Sequence, residues 1–154
     1  GISCRPAQVS NETMAFSGST CYSGSDGTLV LDGVTTTGWG STFSVGDIIG
    51  IAVDCDNNRI YFSVNGTWQN SANPSAGTGS ETIVAPSTTD TGNYYFSWSD
   101  NKADGGSTMQ YNFGQGYFGT TAVSTAGTNA SNNGTFEYDV PTGFTALSTE
   151  GLNT

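Results

Sequence analysis

The feature that most constrains the fold is a pair of segments in which apolar and polar side chains alternate. Residues 47–56 read DIIGIAVDCD, and residues 59–66 read RIYFSVNG. Because side chains two residues apart lie on the same face of a strand, each segment is predicted to be a strand with one apolar face. These two faces consist of Ile49, Ile51, Val53 and Cys55 in the first segment, and of Ile60, Phe62 and Val64 in the second.

Two turn signals connect and extend these strands. Asn57-Asn58 separates the two segments, and Asn65-Gly66 follows the second one and leads to Trp68. Asn and Gly tolerate a positive φ, which tight reversals require. We therefore predict a β-hairpin with a further reversal that presents Trp68, and a buried thiol at Cys55.

The composition favours an all-β chain. The 154 residues include 22 Gly but only four Leu, and only 10% of the residues are charged. This is poor material for helices and good material for short strands and turns. Further strands are predicted within residues 13–18, 28–33, 82–87, 93–100, 107–114, 134–140 and 144–149, whereas residues 69–81 and 120–134 are predicted to be polar surface loops.

The charge and the residue types exclude several classes of function. Thirteen acids oppose three bases, so the formal net charge is −10, which disfavours nucleic acid as a partner. No His is present, so neither a Ser-His or Cys-His pair nor an imidazole metal site can form. The sequence contains no run of 18 apolar residues, so no membrane-spanning segment is predicted.

The three cysteines do not form a recognisable pattern. Cys4, Cys21 and Cys55 are odd in number and lack the spacing of a zinc site. Whether Cys4 and Cys21 pair is not fixed by the sequence, because pairing depends on the distance between their Cα atoms.

The carboxylates do not predict an active site. A glycoside hydrolase needs two carboxyl groups on opposite sides of the scissile bond. Asp54 and Asp56 share a strand face but flank a turn, where capping is the simpler role. Glu12, Glu81 and Glu150 have no second acid two or four residues away. We therefore expect no catalytic residues.

A cation site is the one cofactor alternative that the sequence leaves open. Asp54, Asp56 and Asn58 follow the spacing of the first three ligands of a calcium-binding EF-hand loop. Arg59 and Asn65 stand where that loop needs Gly and Glu, so an EF-hand is excluded. These three residues remain candidates for an irregular Ca²⁺ site, and otherwise no cofactor is expected.

Aromatic residues supply much of the apolar surface. Eight Phe, seven Tyr and three Trp residues are present, and we predict that Phe62, Phe96 and Phe113 lie in the interior. Other rings lie next to Gly, Asn or Asp turns, where they can face solvent and contact a sugar or a protein. The candidate contact residues are Trp39, Trp68, Tyr94, Trp98 and Asp100.

Two segments resemble the SPRY domain family. Residues 43–68, FSVGDIIGIAVDCDNNRIYFSVNGTW, are similar to its strand-turn-strand element. Residues 109–118, MQYNFGQGYF, are similar to its closing element, with Asn112, Phe113 and Gly114 in place. The resemblance implies a bent antiparallel β-sandwich, related to the concanavalin-like jelly rolls, over about residues 1–119.

The chain departs from the family pattern at both ends. Residues 115–118 replace a basic residue and Pro that often precede the Phe, and the usual first strand, rich in Trp and Tyr, is absent. We expect the first strands to lie upstream of residue 1 or to come from a neighbouring chain. The whole of residues 1–154 is predicted to be one domain, with a loop insertion at 119–137 and a closing strand and tail at 138–154.

The last segment suggests a biological setting. Residues 138–152, YDVPTGFTALSTEGL, are similar to the ending of SPRY-like domains in structural proteins of tailed bacteriophages. The resemblance implies a non-enzymatic module on the virion surface, assembled in the host cytoplasm as part of a tail fibre, head fibre or capsid decoration. Its expected partners are another virion protein or a host glycan, and a homotrimer is expected. The alternatives are a structural spacer and, less favoured, a carbohydrate-active enzyme.

Overall fold

The computed structural model describes residues 2–3, 18–89, 91–98 and 108–147. In this part of the chain the secondary structure consists of short antiparallel strands and two 3-10 helices, Pro74–Ala76 and Pro86–Thr88. The prediction of an all-β antiparallel sandwich is confirmed. None of the described helices is long and apolar enough to cross a membrane.

Eleven strands lie in the described residues. They are β1 (Ile2–Ser3), β2 (Ser19–Tyr22), β3 (Leu29–Leu31), β4 (Val34–Thr36), β5 (Ile49–Asp54), β6 (Arg59–Val64), β7 (Thr67–Trp68), β8 (Glu81–Thr82), β9 (Tyr95–Phe96), β10 (Tyr117–Phe118) and β11 (Thr121–Ala122).

These strands belong to two compact units. The first comprises Gly1–Ala72 and Gly79–Ser107, and the second comprises Asn73–Thr78 and Thr108–Thr154. The first unit contains a five-stranded sheet in the order β4-β3-β2-β1-β9 and a second sheet in which β6 pairs with β5, β7 and β8. The second unit contains the hairpin of β10 and β11.

The predicted hairpin is confirmed as β5 and β6. Its antiparallel register runs from Ile49 opposite Val64 to Asp54 opposite Arg59. The connecting turn spans residues 55–58, and its last residue, Asn58, has a φ of 53°. Asn65 and Gly66 form the second reversal, with φ values of 47° and 79°, and β7 follows it.

The prediction of a buried thiol at Cys55 is wrong. The strand pairing ends at Asp54 and Arg59, so Cys55 is the first residue of the turn and is exposed to solvent. Cys21 lies half-buried in β2, and burial raises the pKa of its thiol. Cys4 lies outside the described residues.

The core of the first unit lies between its two sheets. Ile2, Tyr22 and Leu29 come from the five-stranded sheet, and Ile60 and Phe62 come from β6. The half-buried residues that pack against this core are Leu31, Trp39, Phe43, Ile49, Ile51, Val53, Val64 and Tyr94. The apolar faces of β5 and β6 therefore point into the core, as their alternation predicted, except at Cys55.

The opposite face of β6 is buried as well. Tyr61 is 1% exposed and Ser63 is also buried, although both alternate with the core residues. Ser63 pairs with Trp68 in β7, and the Trp68 ring contacts the Tyr61 ring edge-on at a centroid distance of 6.5 Å. Strand β6 is thus covered on both faces, which is typical of a central strand.

The prediction that three Phe residues lie in the interior is correct for one of them and wrong for two. Phe62 is buried, but Phe96 is 42% exposed and Phe113 is 36% exposed. Phe96 lies in β9 at an edge of the five-stranded sheet, and Phe113 lies in a loop. The predictions followed aromatic type and local sequence, which do not determine whether a strand ends up at a sheet edge.

Several predicted strands are shorter than expected or are not formed. Residues 28–33, 82–87 and 93–100 contain β3, part of β8 and β9, whereas the described parts of 107–114, 134–140 and 144–149 contain no strand. Apart from Gly18, which lies in a turn, the candidate at 13–18 is outside the described residues. Strands β1, β2, β4, β7, β10 and β11 were not predicted; β11 lies inside the predicted insertion at 119–137, and no strand forms in 138–147.

We predict that Gly27→Ala destabilises the protein by about 3 kcal/mol. Gly27 is buried with a φ of 66°, and an added Cβ would lie 2.0 Å from the carbonyl oxygen of Gly40. Both the left-handed conformation and the backbone clash oppose a side chain there. The measurement is the free energy of unfolding in urea.

Gly38→Ala is the matched control. Gly38 has a φ of 63°, but no atom lies within 4 Å of an added Cβ. Its replacement costs only the left-handed conformation, about 1 kcal/mol. Equal losses for the two variants would show that the close approach of Gly27 to Gly40 is not a constraint on the fold.

Candidate functional site

The five predicted contact residues have different settings in the structure. Trp39 packs against the core, with its ring 5.3 Å from that of Tyr22 and 6.0 Å from that of Phe62. Its indole Nε1 donates a hydrogen bond of 2.6 Å to Glu81 Oε1. The structure therefore gives Trp39 a packing role, and any contact with a ligand is limited to its exposed part.

Tyr94 is also held by the scaffold. It packs against the core, and its hydroxyl lies 2.8 Å from the carbonyl oxygen of Val84 and 3.2 Å from Asn58 Oδ1, either of which can accept its hydrogen bond. Trp68 is half-buried beside Tyr61. These contacts within the chain explain the positions of the Tyr94 and Trp68 rings without a ligand.

Trp98 is the predicted contact residue that faces solvent. It follows β9 at the edge of the five-stranded sheet and is 45% exposed. Phe96, two residues earlier, is also exposed. Asp100 lies outside the described residues. The described candidate surface in the first unit is therefore the end of β9, which carries these two rings.

At the β5–β6 turn, the Asp54 carboxylate accepts hydrogen bonds from the residues of the turn. Asp54 Oδ1 accepts hydrogen bonds from the backbone N–H groups of Asp56 and Asn57 at 3.1 and 3.0 Å, and Asp54 Oδ2 accepts one from Asn57 Nδ2 at 2.8 Å. The Asn57 side chain, followed by its backbone N–H, lowers the pKa of Asp54. The capping role predicted for Asp54 is confirmed.

The calcium prediction for Asp54, Asp56 and Asn58 stays a prediction. The described residues contain no group of three or more Cys, Asp or Glu side chains placed to hold a metal ion. Asn58 Oδ1 lies beside the Tyr94 hydroxyl, and the Asp54 carboxylate is occupied by the turn. A cation there would compete with these hydrogen bonds.

A pair of acids that the sequence reasoning overlooked is Glu137 and Asp139. Both carboxylates accept hydrogen bonds from neighbouring loops: Glu137 from the N–H and hydroxyl of Ser124, and Asp139 from the N–H of Thr128 at 2.6 Å. The Ser124 hydroxyl is the main cause of the lowered pKa of Glu137, and the Thr128 N–H that of Asp139. A general acid for glycoside cleavage needs a raised pKa, so neither residue is suited to that role.

A hydrogen-bonded bridge joins the start of β5 to the turn after β6. Asn65 Nδ2 donates to Asp47 Oδ1 at 2.7 Å, and Asn65 Oδ1 accepts from the N–H of Ile48 at 2.9 Å. Asp47 Oδ2 also accepts from the N–H of Ser44 at 2.8 Å. The Gly-Asp and Asn-Gly dipeptides of the sequence motif are thereby joined through their side chains.

The sequence reasoning also missed most of the exposed apolar side chains of the second unit. They are Met109, Tyr111, Phe113, Tyr117, Tyr138 and Leu147, each at least 36% exposed. Alternation at Met109, Tyr111 and Phe113 predicts a strand, but alternation alone does not distinguish a buried face from an exposed one.

The fold and these exposed rings define an all-β scaffold with apolar side chains exposed at its surface. Residues 1–88 match the SPRY domain family. This match covers more than half of the 154 residues, so the chain belongs to the SPRY family. Domains of this family generally mediate protein–protein interactions. No curated protein and no solved structure matches the chain.

The bridge between Asp47 and Asn65 predicts a loss of stability in acid. The Asn65 side chain, followed by the Ser44 N–H, lowers the pKa of Asp47 in the folded state below that of the unfolded chain. The stabilisation is therefore complete above the unfolded pKa of about 3.9 and is lost as the pH falls through the folded pKa. We expect the urea midpoint to fall below about pH 4.

Two variants test the origin of this pH dependence. Asp47→Ala and Asn65→Gly each remove the hydrogen bond between the two side chains, and Gly retains access to a positive φ. Both variants should lower the midpoint at neutral pH and show a smaller further fall in acid than the parent chain. An unchanged pH profile in both would contradict the assignment.

Proposed function

We propose that the chain is a non-enzymatic contact module of a bacteriophage virion, which binds another protein or a host glycan through exposed aromatic residues. The observation that carries this proposal is the exposure of Trp98 beside Phe96 at the end of β9. Trp is among the residues most enriched at the energetic centres of interfaces. A scaffold that packs the half-buried Trp39 against its core but leaves Trp98 in solvent provides a ring for a partner.

Membership of the SPRY family supports the contact role, since these domains generally bind proteins. The arrangement of the carboxylates supports a role without catalysis. Asp47, Asp54, Glu137 and Asp139 each accept hydrogen bonds from neighbouring N–H groups and have lowered pKa values. They act in the folded chain as turn and loop acceptors.

The viral setting has a separate support, the resemblance of residues 138–152 to the ending of SPRY-like domains in tailed-phage structural proteins. We place the module on the virion surface, in a tail fibre, a head fibre or a capsid decoration, with a homotrimer as the expected assembly. The net charge of −10 suits a surface that is exposed to solvent.

A structural spacer is the second candidate function. It is favoured by the packing of Trp39, Trp68 and Tyr94, which the scaffold uses for its own stability. A spacer would cover Trp98 with a neighbouring subunit, whereas a binding module would leave it open in the assembled particle.

We predict that Trp98→Ala weakens binding about thirtyfold and leaves the melting temperature unchanged. The ring is exposed, so its removal leaves the core intact. The measurement is binding of the full chain to a glycan array and to purified proteins of the virion.

Val45→Ala is the matched control, because Val45 is a fully exposed apolar residue in the loop before β5. It should bind like the parent chain. Equal binding by Trp98→Ala and the parent chain would remove Trp98 from the contact surface. Absence of binding to every glycan and virion protein would contradict the binding function and favour the spacer.

A further inference from the structure

The second compact unit has an exposed aromatic surface of its own, which we call the Tyr111 surface and define as Tyr111, Phe113 and Tyr117. These residues are 41%, 36% and 50% exposed. They lie outside residues 1–88, the part of the chain that matches the SPRY family. Clustered exposed rings are uncommon on a surface that contacts nothing, because they leave apolar area in water.

The rings of Tyr111 and Phe113 form an ordered pair. Their planes are within 3° of parallel, and their centroids are 5.8 Å apart. An offset parallel arrangement is a favourable geometry for two aromatic rings. The pair therefore presents flat aromatic faces in a fixed direction, although the backbone of residues 108–114 forms no strand.

One side chain, that of Gln115, holds the backbone at all three aromatic residues. Gln115 Nε2 donates to the carbonyl oxygens of Tyr111 and Tyr117 at 2.5 and 3.1 Å. Gln115 Oε1 accepts from the N–H of Phe113 at 2.7 Å. A loop fixed in this way loses little conformational entropy when a partner binds, which favours affinity.

Asn112 reinforces the same loop. Its Oδ1 accepts from the N–H groups of Gly114 and Gly116 at 2.8 and 3.2 Å, and its Nδ2 donates to the carbonyl oxygen of Thr135 at 2.9 Å. These amide groups are used inside the loop. Few of their donors and acceptors are left to bond sugar hydroxyls beside a ring, which argues against a glycan on this surface.

The charge of the second unit indicates the chemistry of the partner. Its sequence contains Glu137, Asp139 and Glu150 but no Lys or Arg. Hydrogen bonds lower the pKa values of Glu137 and Asp139, so both are anionic at neutral pH. Glu137 lies two residues after Thr135, which bridges to Gln115. Aromatic faces attract a guanidinium group, and a unit that carries only negative charges favours a cationic partner.

We propose that the Tyr111 surface is a docking site for an arginine-bearing segment of a partner protein. The guanidinium planes would lie against the rings of Tyr111, Phe113 and Tyr117, and the acids of the unit would add electrostatic attraction. A second copy of this chain is disfavoured as the occupant, because its sequence contains only two Arg residues, Arg5 and Arg59. This site goes beyond the proposed function, which rests on Trp98 in the first unit.

The test uses the intact chain and a fluorescein-labelled peptide in which Arg alternates with Leu, with binding followed by fluorescence anisotropy. We expect binding that Tyr111→Ala combined with Phe113→Ala weakens about tenfold, without a change in net charge. The same peptide with Lys in place of Arg should bind more weakly, because Lys lacks the planar group that stacks on a ring. Tyr138→Ala, which removes another exposed ring of this unit, is the matched control and should bind like the parent chain.

Other outcomes separate the explanations. Equal binding by the parent chain and the double variant would show attraction by charge alone and would overturn the proposal. Binding of neutral cellotetraose or maltotetraose that the double variant loses would assign the rings to carbohydrate and would also overturn it. If the double variant melts at a lower temperature than the parent chain, Tyr117→Ala replaces it in the test and should also weaken binding of the Arg-containing peptide. Trp98→Ala should leave peptide binding unchanged, so this test and that of the proposed function fail independently.

Discussion

The contact on which the first unit most depends is the packing of Tyr22, in the five-stranded sheet, against Phe62 of β6. Their ring centroids are 5.6 Å apart, and Trp39 and Phe43 lie at 5.3 and 5.2 Å from the Tyr22 ring. A chain with four Leu residues has few aliphatic side chains to fill the space between two sheets, so large rings do so. The Tyr22 hydroxyl donates to the carbonyl oxygen of Ser41, so this polar atom within the cluster is satisfied.

Side-chain amides and carboxylates then determine where the strands turn. Asn65 and Asp47 join the two ends of the β5–β6 hairpin. Gln69 is buried, accepts from the N–H of Ser41 at 2.8 Å and donates to the carbonyl oxygen of Thr67 at 2.7 Å. Gln115 has the corresponding role in the second unit. Short strands leave many backbone groups outside the ladders, and these polar side chains provide the missing partners.

The sequence was sufficient for the features that depend on local alternation and turn chemistry. The hairpin of β5 and β6, the positive φ of Asn58 and Asn65, and the capping by Asp54 follow from neighbouring residues. The exposure of Phe96 and Phe113 could not be obtained in this way, because it depends on which strand lies at a sheet edge and on a side-chain clamp from Gln115. The packing of Trp39 likewise requires Glu81, a residue 42 positions away.

Rings of the same chemical type consequently differ in whether they stabilise the core or lie exposed at the surface. Trp39 is fixed by Tyr22, Phe62 and Glu81, so its loss would open the core, whereas Trp98 has an exposed ring at a sheet edge. The same division separates Phe62 from Phe113. Because the backbone around Phe113 is held by the Gln115 and Asn112 amides, its ring is not needed to close the loop. Rings that folding does not require can change without loss of the fold, and this allows one β scaffold to carry different exposed rings.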